Sequence, residues 1–109
     1  MDIEITERGN SRILHISGEV DMYSSPILRD KIMSLINKRI PIILIDLKEV
    51  SYMDSSGIAT FVEGLKSLRA YNGRMKFYNM PREIMEIFRF ARLDKIFEIY
   101  KSFEDAISK

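Results

Sequence analysis

Four consecutive residues, Asp54-Ser55-Ser56-Gly57, place a carboxylate, two hydroxyls and a glycine where a strand pattern gives way to a helix pattern. We expect a short loop between that strand and this helix start. Asp and Ser are preferred helix caps, because their side-chain oxygens accept hydrogen bonds from the free amides of the first turn. A serine hydroxyl at a protruding helix start can also receive a phosphoryl group, which adds charge without requiring the chain to refold. The motif therefore indicates either a structural cap or a phosphorylation site.

A second segment, at 18–25, carries a similar mixture of acidic, apolar and hydroxyl side chains around Asp21, Met22 and Tyr23. Like the Ser55 motif, it follows a predicted strand. Loops that follow the carboxyl ends of parallel strands gather at one edge of the sheet. We therefore expect the two loops to lie side by side, either as one acidic, hydroxyl and apolar patch that binds a partner or as two ordinary capped turns.

Apolar residues lie next to both motifs. Exposure to water alone does not explain apolar side chains at these loop positions. Tyr52 and Met53 precede Asp54, and Met22 lies in the other loop. Apolar side chains in such loops either pack locally or contact a partner protein, and methionine adapts its shape to an irregular surface. We predict Met22 and Met53 as adaptable contact residues, whereas the other methionines are expected to fill the core.

Strand and helix patterns alternate along the chain in the order β-β-α-β-α-β-α-β-α. Two extended runs on either side of the turn signal at 8–11 predict an N-terminal hairpin. The continuous branched run Ile42-Ile43-Leu44-Ile45 predicts a central parallel strand covered on both faces, and residues 96–100 predict the last strand. Such alternation predicts a single α/β domain over residues 1–109, with a mostly parallel sheet and helices packed mainly on one face.

Cap signals mark the predicted helix starts. Ser25 before Pro26 predicts that the Ser25 hydroxyl caps the first helix, and Ser102 with Asp105 three residues later resembles a capping box at the last one. The second helix is expected to end near Asn72-Gly73. The apolar residues of the first helix fall on one face, which we expect to be buried: Ile27, Leu28, Ile32, Leu35 and Ile36.

The composition argues against several classes of function. The 109 residues include one histidine and no cysteine, which removes disulfide frameworks, thiolate zinc sites and cysteine nucleophiles. The charges of the 17 basic and 16 acidic residues nearly cancel, so no overall electrostatic field favours binding to nucleic acid or to an anionic membrane. The acidic N-terminal segment does not resemble a signal peptide, and the best apolar run, 40–45, is too short to span a bilayer. We expect a cytoplasmic protein that is not inserted in a membrane.

The sequence carries no pattern that predicts catalysis by this chain alone. A phosphate-binding loop of the G-x-x-x-x-G-K-[ST] form and the kinase loop motifs are absent, so any phosphate donor must come with a partner. The serine-hydrolase pattern G-x-S-x-G is absent as well, and His15, the one histidine, lies on a predicted strand. One imidazole without a spaced carboxylate cluster predicts no metal site. We expect a protein that is not an enzyme and that uses no metal or cofactor.

Two segments carry a family resemblance, GEVDMYSSPILRDKI at 18–32 and DLKEVSYMDSSGIATFVEGLK at 46–66. They closely resemble the hallmark segments of bacterial anti-sigma factor antagonists, the stand-alone STAS domains of partner-switching systems in sporulation and stress response. The likeness extends through IFRFARLDKIFEIY at 87–100, so it covers nearly the whole chain as one STAS domain, 1–109. The pair of motifs at this spacing is more specific than either motif alone.

The resemblance implies roles for individual residues. In that family the first serine of D-S-[ST]-G is phosphorylated by a cognate anti-sigma factor that is also a protein kinase, which by position implies Ser55. Ser56 matches the neighbouring hydroxyl, and the aspartate associated with kinase or partner recognition falls on Asp21. The family pattern often continues G-L-G, whereas this chain has Gly57-Ile58-Ala59. The expected motif and partner-binding residues are Asp21, Met22, Tyr23, Met53, Asp54, Ser56, Gly57 and Ile58.

The implied function is that of an anti-sigma factor antagonist. Unphosphorylated, it would bind an anti-sigma factor with serine kinase activity and free the sigma factor. Phosphorylation on Ser55 would abolish that binding, and a phosphatase would restore the first form. Two alternatives remain open: a STAS interaction module of another complex, such as a lipid transporter's cytoplasmic subunit or a signalling scaffold, and a module that binds a nucleotide or phosphate noncovalently at the same helix start.

Overall fold

The computed structural model describes residues 1–109, and its elements confirm the predicted order of strands and helices. A short 3-10 turn, Leu93–Lys95, is the one addition. The strands and helices are β1 Asp2–Arg8, β2 Ser11–Val20, α1 Ser25–Asn37, β3 Ile42–Met53, α2 Ser55–Arg69, β4 Arg74–Tyr78, α3 Arg82–Phe90, β5 Glu98–Tyr100 and α4 Phe103–Ser108.

The five strands form one sheet in the order β1-β2-β3-β4-β5. The first pair is antiparallel, with Arg8 opposite Ser11 across a turn in which Gly9 adopts a φ of +57°. The remaining three pairs are parallel. The predicted hairpin and the predicted central position of the strand that begins at Ile42 are therefore both confirmed.

The central strand is buried on both faces, as its continuous apolar run predicts. Ile43 and Ile45 belong to a large core cluster, whereas Leu44, which points to the other face, belongs to a smaller one. Helices α1, α2 and α3 pack residues into the large cluster, and α4 contributes Ala106 to the small cluster. Three of the four helices thus lie on one face of the sheet, and the short C-terminal helix lies on the other.

An aromatic cluster fixes α2 and α3 against the sheet. Phe77 of β4 lies at its centre, with ring centroids 5.0 Å from Phe61, 5.5 Å from Phe88 and 5.0 Å from Phe97. All three contacts are edge-to-face, the arrangement that aligns the positive ring edge with the negative ring face. The start of α2, where the serine motif lies, is therefore attached to a rigid framework.

Two predicted boundaries were wrong. The short loop expected before Asp54 is instead strand, because β3 continues to pair with β2 as far as Met53 through two register shifts. Only Asp54 separates β3 from α2. The last strand begins at Glu98, since the amides of Ile96 and Phe97 donate to the Leu93 carbonyl and close a turn instead of joining the sheet.

Candidate functional site

Asp54 joins the end of β3 to the start of α2. Its amide donates to the Val20 carbonyl over 3.1 Å, which ties this junction to the end of β2. Its Oδ1 accepts from the Ser56 amide at 2.9 Å, from the Gly57 amide at 3.4 Å and from the Ser56 hydroxyl at 2.5 Å. The Ser56 hydroxyl is the main cause that lowers the pKa of Asp54, and these amides add to it. Asp54 is therefore an ionised helix cap at neutral pH.

The two serines of the motif lie in different environments. The Ser56 side chain is half-buried, and its hydroxyl donates to Asp54. Ser55 is exposed, and its hydroxyl takes part in none of the side-chain hydrogen bonds within the chain. An incoming phosphoryl donor therefore reaches the hydroxyl of Ser55 without breaking any contact.

Asp21 organises the neighbouring turn. Its Oδ1 accepts from the amides of Tyr23 at 2.9 Å and Ser24 at 3.0 Å, and the Ser24 hydroxyl accepts from the Asp21 amide at 2.9 Å. The Ser24 amide is the main cause that lowers the pKa of Asp21, so this carboxylate is ionised as well. The expected cap by Ser25 was wrong: Ser24 occupies the cap position, its hydroxyl bonds back into the turn, and Ser25 is a buried first helical residue.

The two turns lie side by side, as the parallel arrangement predicts. The Met22 amide contributes to the lowered pKa of Asp54, and the Asp54 charge in turn opposes ionisation of Asp21. Parallel pairing of β2 with β3 brings Val20 opposite Met53. Asp21 and Asp54, which follow these two residues, therefore lie next to each other. Two negative charges therefore lie close together at the carboxyl ends of β2 and β3, one of them on Asp54, the residue before Ser55.

Large apolar side chains in or near these two turns are exposed to solvent. Met22 is 65% exposed and Tyr23 is 85% exposed, as their loop position predicts. Ile27 was expected on the buried face of α1 but is 55% exposed, because the buried stripe runs through Leu28 and not through its neighbour. Tyr52 is 49% exposed at the end of β3. We call these four residues, Met22, Tyr23, Ile27 and Tyr52, the apolar rim.

Met53 was predicted as an exposed contact residue, and this was wrong. The side chain is 2% exposed and belongs to the large core cluster, because β3 remains a strand to its last residue and directs Met53 under α2. Ile58 is half-buried against the same cluster. Met53 therefore supports the site from below, whereas Ile58 keeps part of its side chain at the surface.

Gly57 lies where α2 approaches the sheet most closely. A Cβ at this position would be 2.7 Å from Val20 Cγ1 and 2.9 Å from Met53 Cγ, distances at which something must move. Its φ is not in the left-handed region. Close packing of α2 against the sheet, and not a strained turn, therefore favours a glycine here.

His15 lies away from this site, on the sheet face opposite α1. Its Nδ1 is 2.9 Å from Asp46 Oδ2 on the adjacent strand. Asp46 also accepts from the Lys48 amide at 3.1 Å through its other oxygen. The histidine thus forms a cross-strand pair, which is the strand-face role expected from the sequence.

The family model described as "STAS domain" matches residues 2–106. The chain belongs to the STAS domain family. Among curated relatives, an anti-sigma-B factor antagonist of Bacillus subtilis (strain 168) is 31% identical over 107 residues, which cover 98% of this chain and 97% of the relative. The chain is thus a STAS protein of the bacterial anti-sigma factor antagonist type, with an exposed serine, Ser55, at the start of α2.

Solved structures support the same fold. An anti-sigma factor antagonist from Mycobacterium paratuberculosis superimposes with a TM-score of 0.90 at 22% identity, covering 98% of this chain and 91% of that one. The Bacillus cell fate determinant SpoIIAA in its phosphorylated form gives a TM-score of 0.77 at 23% identity, covering 98% of this chain and 97% of the other. These similarities show the STAS fold.

Membership of this family identifies the chain as a regulatory binding protein and not an enzyme. None of its helices combines the length and the apolar character needed to span a bilayer. The functional question is therefore which partner the site around Ser55 recognises and how that recognition is switched.

Proposed function

We propose that this STAS protein is an anti-sigma factor antagonist that is switched by phosphorylation of Ser55. The unphosphorylated form binds an anti-sigma factor with serine kinase activity and thereby frees the sigma factor. The phosphorylated form does not bind, and a phosphatase regenerates the active form. The whole-length similarity to an anti-sigma-B factor antagonist supports the identity of the partner.

The observation that carries the proposal is the difference between the two serines. The Ser55 hydroxyl is exposed and unbonded at the start of α2, whereas the Ser56 hydroxyl donates to Asp54 at 2.5 Å. A kinase that modified Ser56 would first have to break a charge-assisted hydrogen bond, which is roughly twice as strong as a neutral one. Ser55 is therefore the acceptor that the local geometry favours.

The apolar rim supplies the surface on which the anti-sigma factor docks. Aromatic and methionine side chains dominate the energetics of protein interfaces when water is excluded around them. Tyr23 and Met22 protrude beside the two carboxylates, and Tyr52 precedes Asp54. The rim therefore places the partner directly against Ser55.

Charge provides the switch. Asp21 and Asp54 are both held ionised, so the unphosphorylated surface already carries two negative charges that the partner must accommodate. A phosphate adds about 1.5 to 2 further charges at neutral pH. Repulsion from a partner carboxylate about 4 Å away is on the order of 4 kcal/mol per charge pair at an intermediate dielectric constant. That corresponds to roughly a thousandfold loss of affinity.

The fold tolerates this added charge. The Ser55 side chain is exposed, and the positive end of the α2 dipole offsets part of the phosphate's repulsion, by about 0.3 to 1 kcal/mol. The cap by Asp54 uses the Ser56 and Gly57 groups and does not involve the Ser55 hydroxyl. Phosphorylation therefore changes binding without refolding the domain.

Noncovalent binding of a nucleotide or phosphate at this helix start is disfavoured. The amides that would bind an anion are those of the first turn. Asp54 already accepts from the Ser56 and Gly57 amides, and its own charge repels an anion. Only the Ser55 amide is left, which is too few donors for a phosphate site.

The test is a phosphorylation assay with each anti-sigma factor kinase encoded by the source organism. The full chain is incubated with the kinase and ATP, and the modified residue is mapped by mass spectrometry. We expect stoichiometric modification of Ser55, loss of modification in Ser55→Ala, and retention in the matched variant Ser56→Ala. Phosphate on another residue would overturn the site, and capture of a transporter subunit instead of an anti-sigma factor in a pull-down would overturn the partner.

A further inference from the structure

Lys76 is the one charged side chain that the fold buries. It is 3% exposed on β4, beneath α4. Its Nζ donates to the Ala106 carbonyl at 2.7 Å and lies 5.7 Å from the centre of the Tyr100 ring. A lysine ammonium has three donors, and the Ala106 carbonyl accepts one of them. A structural role as a cap for the last turn of α4 accounts for that single bond.

The carboxylate opposite Lys76 in the sheet is already engaged. Glu98 pairs with Lys76 in register, but its two oxygens accept from Arg74 at 2.9 Å and 2.5 Å. The Tyr100 hydroxyl also donates to Glu98, at 2.7 Å. Glu98 therefore neutralises Arg74, and the charge of Lys76 has no carboxylate of its own within ion-pair distance.

A cavity of about 130 Å³ lies beside this lysine. Its walls contain two cationic side chains and no carboxylate, and the seven lining residues are Arg8, Ser11, Ile42, Leu44, Lys76, Ala106 and Ile107. Arg8 forms no ion pair within the chain, and its guanidinium lies 5.5 Å from the centre of the Phe103 ring. Two cationic side chains that form no ion pair within the chain therefore border one small cavity.

A buried cation without an anionic partner is unfavourable, because burial removes its hydration. Consistent with this, burial lowers the pKa of Lys76 and the nearby charge of Arg74 lowers it further, while the charge of Glu98 opposes this in part. An anion in the cavity would compensate the desolvation and would raise that pKa. The cavity thus has the electrostatic character of an anion site.

We propose that this cavity binds a short-chain carboxylate. The carboxylate group would pair with Arg8 and Lys76, with the Ser11 hydroxyl as a further donor. The alkyl group would pack on the apolar walls formed by Ile42, Leu44 and Ile107. A molecule the size of propionate fits, since about 10 to 15 Å³ of such volume holds one water and this cavity has about 130 Å³.

This site is independent of the serine motif. Ser11 and Ile42 lie at the amino ends of β2 and β3, whereas Asp21 and Asp54 follow the carboxyl ends of the same strands. The two sites therefore lie at opposite ends of the strands, one at the amino ends and the other at the carboxyl ends. Loss of one leaves the other intact.

The test is a titration of the full chain with sodium propionate at constant ionic strength, followed by two-dimensional amide NMR. We expect saturable shifts of the Ser11, Ala106 and Ile107 amides. Because Arg8 is exposed, Arg8→Gln is expected to fold normally, and it should weaken propionate binding by about tenfold or more. The matched variant Arg69→Gln, which removes one exposed arginine from α2, should bind as the unmodified chain does.

A second variant, Lys76→Met, removes the buried charge and should abolish saturable binding while the chain stays folded, as judged by its NMR spectrum. Linear shifts without saturation would overturn the proposal. So would an unchanged affinity in Arg8→Gln or in folded Lys76→Met. Saturation by inorganic phosphate but not by propionate would overturn the assignment of a carboxylate.

Discussion

Asp54 Oδ1 accepts the Ser56 hydroxyl hydrogen over 2.5 Å, and this contact makes the two adjacent serines chemically different. The same oxygen caps the first turn of α2 through the Ser56 and Gly57 amides. One carboxylate therefore fixes the helix start and holds one hydroxyl, while the other hydroxyl remains free in water. The proposed switch depends on this difference between the bonded Ser56 hydroxyl and the free Ser55 hydroxyl.

The first prediction concerns that division. Ser56→Ala removes the strongest contribution to the lowered pKa of Asp54, so that pKa should rise toward its usual range, and the melting temperature should fall. Ser55→Ala removes an exposed, unbonded hydroxyl and should change neither quantity measurably. NMR titration of the Asp54 carboxylate and thermal unfolding measure both effects. Equal behaviour of the two variants would contradict the assigned roles.

The second prediction tests the close approach of α2 to the sheet. Gly57→Ala should lower the free energy of unfolding by about 1 to 3 kcal/mol, because the added methyl overlaps Val20 and Met53. Gly64→Ala is the matched control within the same helix. Its Cβ would meet Ile32 Cγ2 and the mobile end of Met75 at 3.1 Å, so a smaller loss is expected. Urea unfolding compares them, and a Gly57 variant as stable as the unmodified chain would disprove the close-packing role.

The third prediction concerns the apolar rim. Tyr23→Ala should weaken binding of the anti-sigma factor by about tenfold to a hundredfold without a change in stability, because Tyr23 is exposed and would become buried only in the complex. Phe90→Ala is the control: Phe90 is 93% exposed on α3, outside the rim. Isothermal calorimetry with the partner distinguishes the two variants. If Phe90→Ala weakened binding more than Tyr23→Ala, the interface would lie on α3 and not at the apolar rim.

The fourth prediction concerns alkaline pH. Burial raises the pKa of Tyr78 to about 12, from 10.0 in the unfolded chain. Because the folded state keeps the proton longer, this stabilisation is complete below about pH 10 and is lost as pH rises toward about 12. At about pH 11 the loss should be about 1.4 kcal/mol, the value of one pKa unit.

Urea unfolding at about pH 9 and about pH 11 measures this loss. Tyr78→Phe should lose less stability between the two pH values than the unmodified chain, by the predicted amount. Tyr23→Phe, which changes an exposed tyrosine, should leave the pH dependence unaltered. An identical pH dependence in Tyr78→Phe would show that the Tyr78 proton is not linked to folding.

Much of the fold could be predicted from the sequence, because local patterns determine it. The branched run at 42–45 predicts a strand buried on both faces, and both core clusters confirm it. The cap by Ser102 is confirmed by its acceptance of the Asp105 amide at 3.2 Å. The adjacency of the two site turns follows from the parallel arrangement alone.

The errors arose where distant contacts decide the outcome. Met53 is buried because β3 stays paired with β2 through two register shifts, which no local pattern reveals. Ile27 is exposed because the packing of α1 selects the stripe through Leu28. Lys76, for which the sequence made no prediction, is buried because α4 covers it. In each case the environment is set by a segment far away in the sequence.

The most direct test of the central claim is the affinity of the anti-sigma factor for two forms of this chain. One form is unmodified, and the other carries phosphoserine at position 55. We expect the unmodified chain to bind, the form phosphorylated at Ser55 to bind about a thousandfold more weakly, and its melting temperature to stay nearly unchanged. Equal affinity of the unmodified and Ser55-phosphorylated forms, or a loss of binding that accompanies unfolding, would contradict the proposed switch.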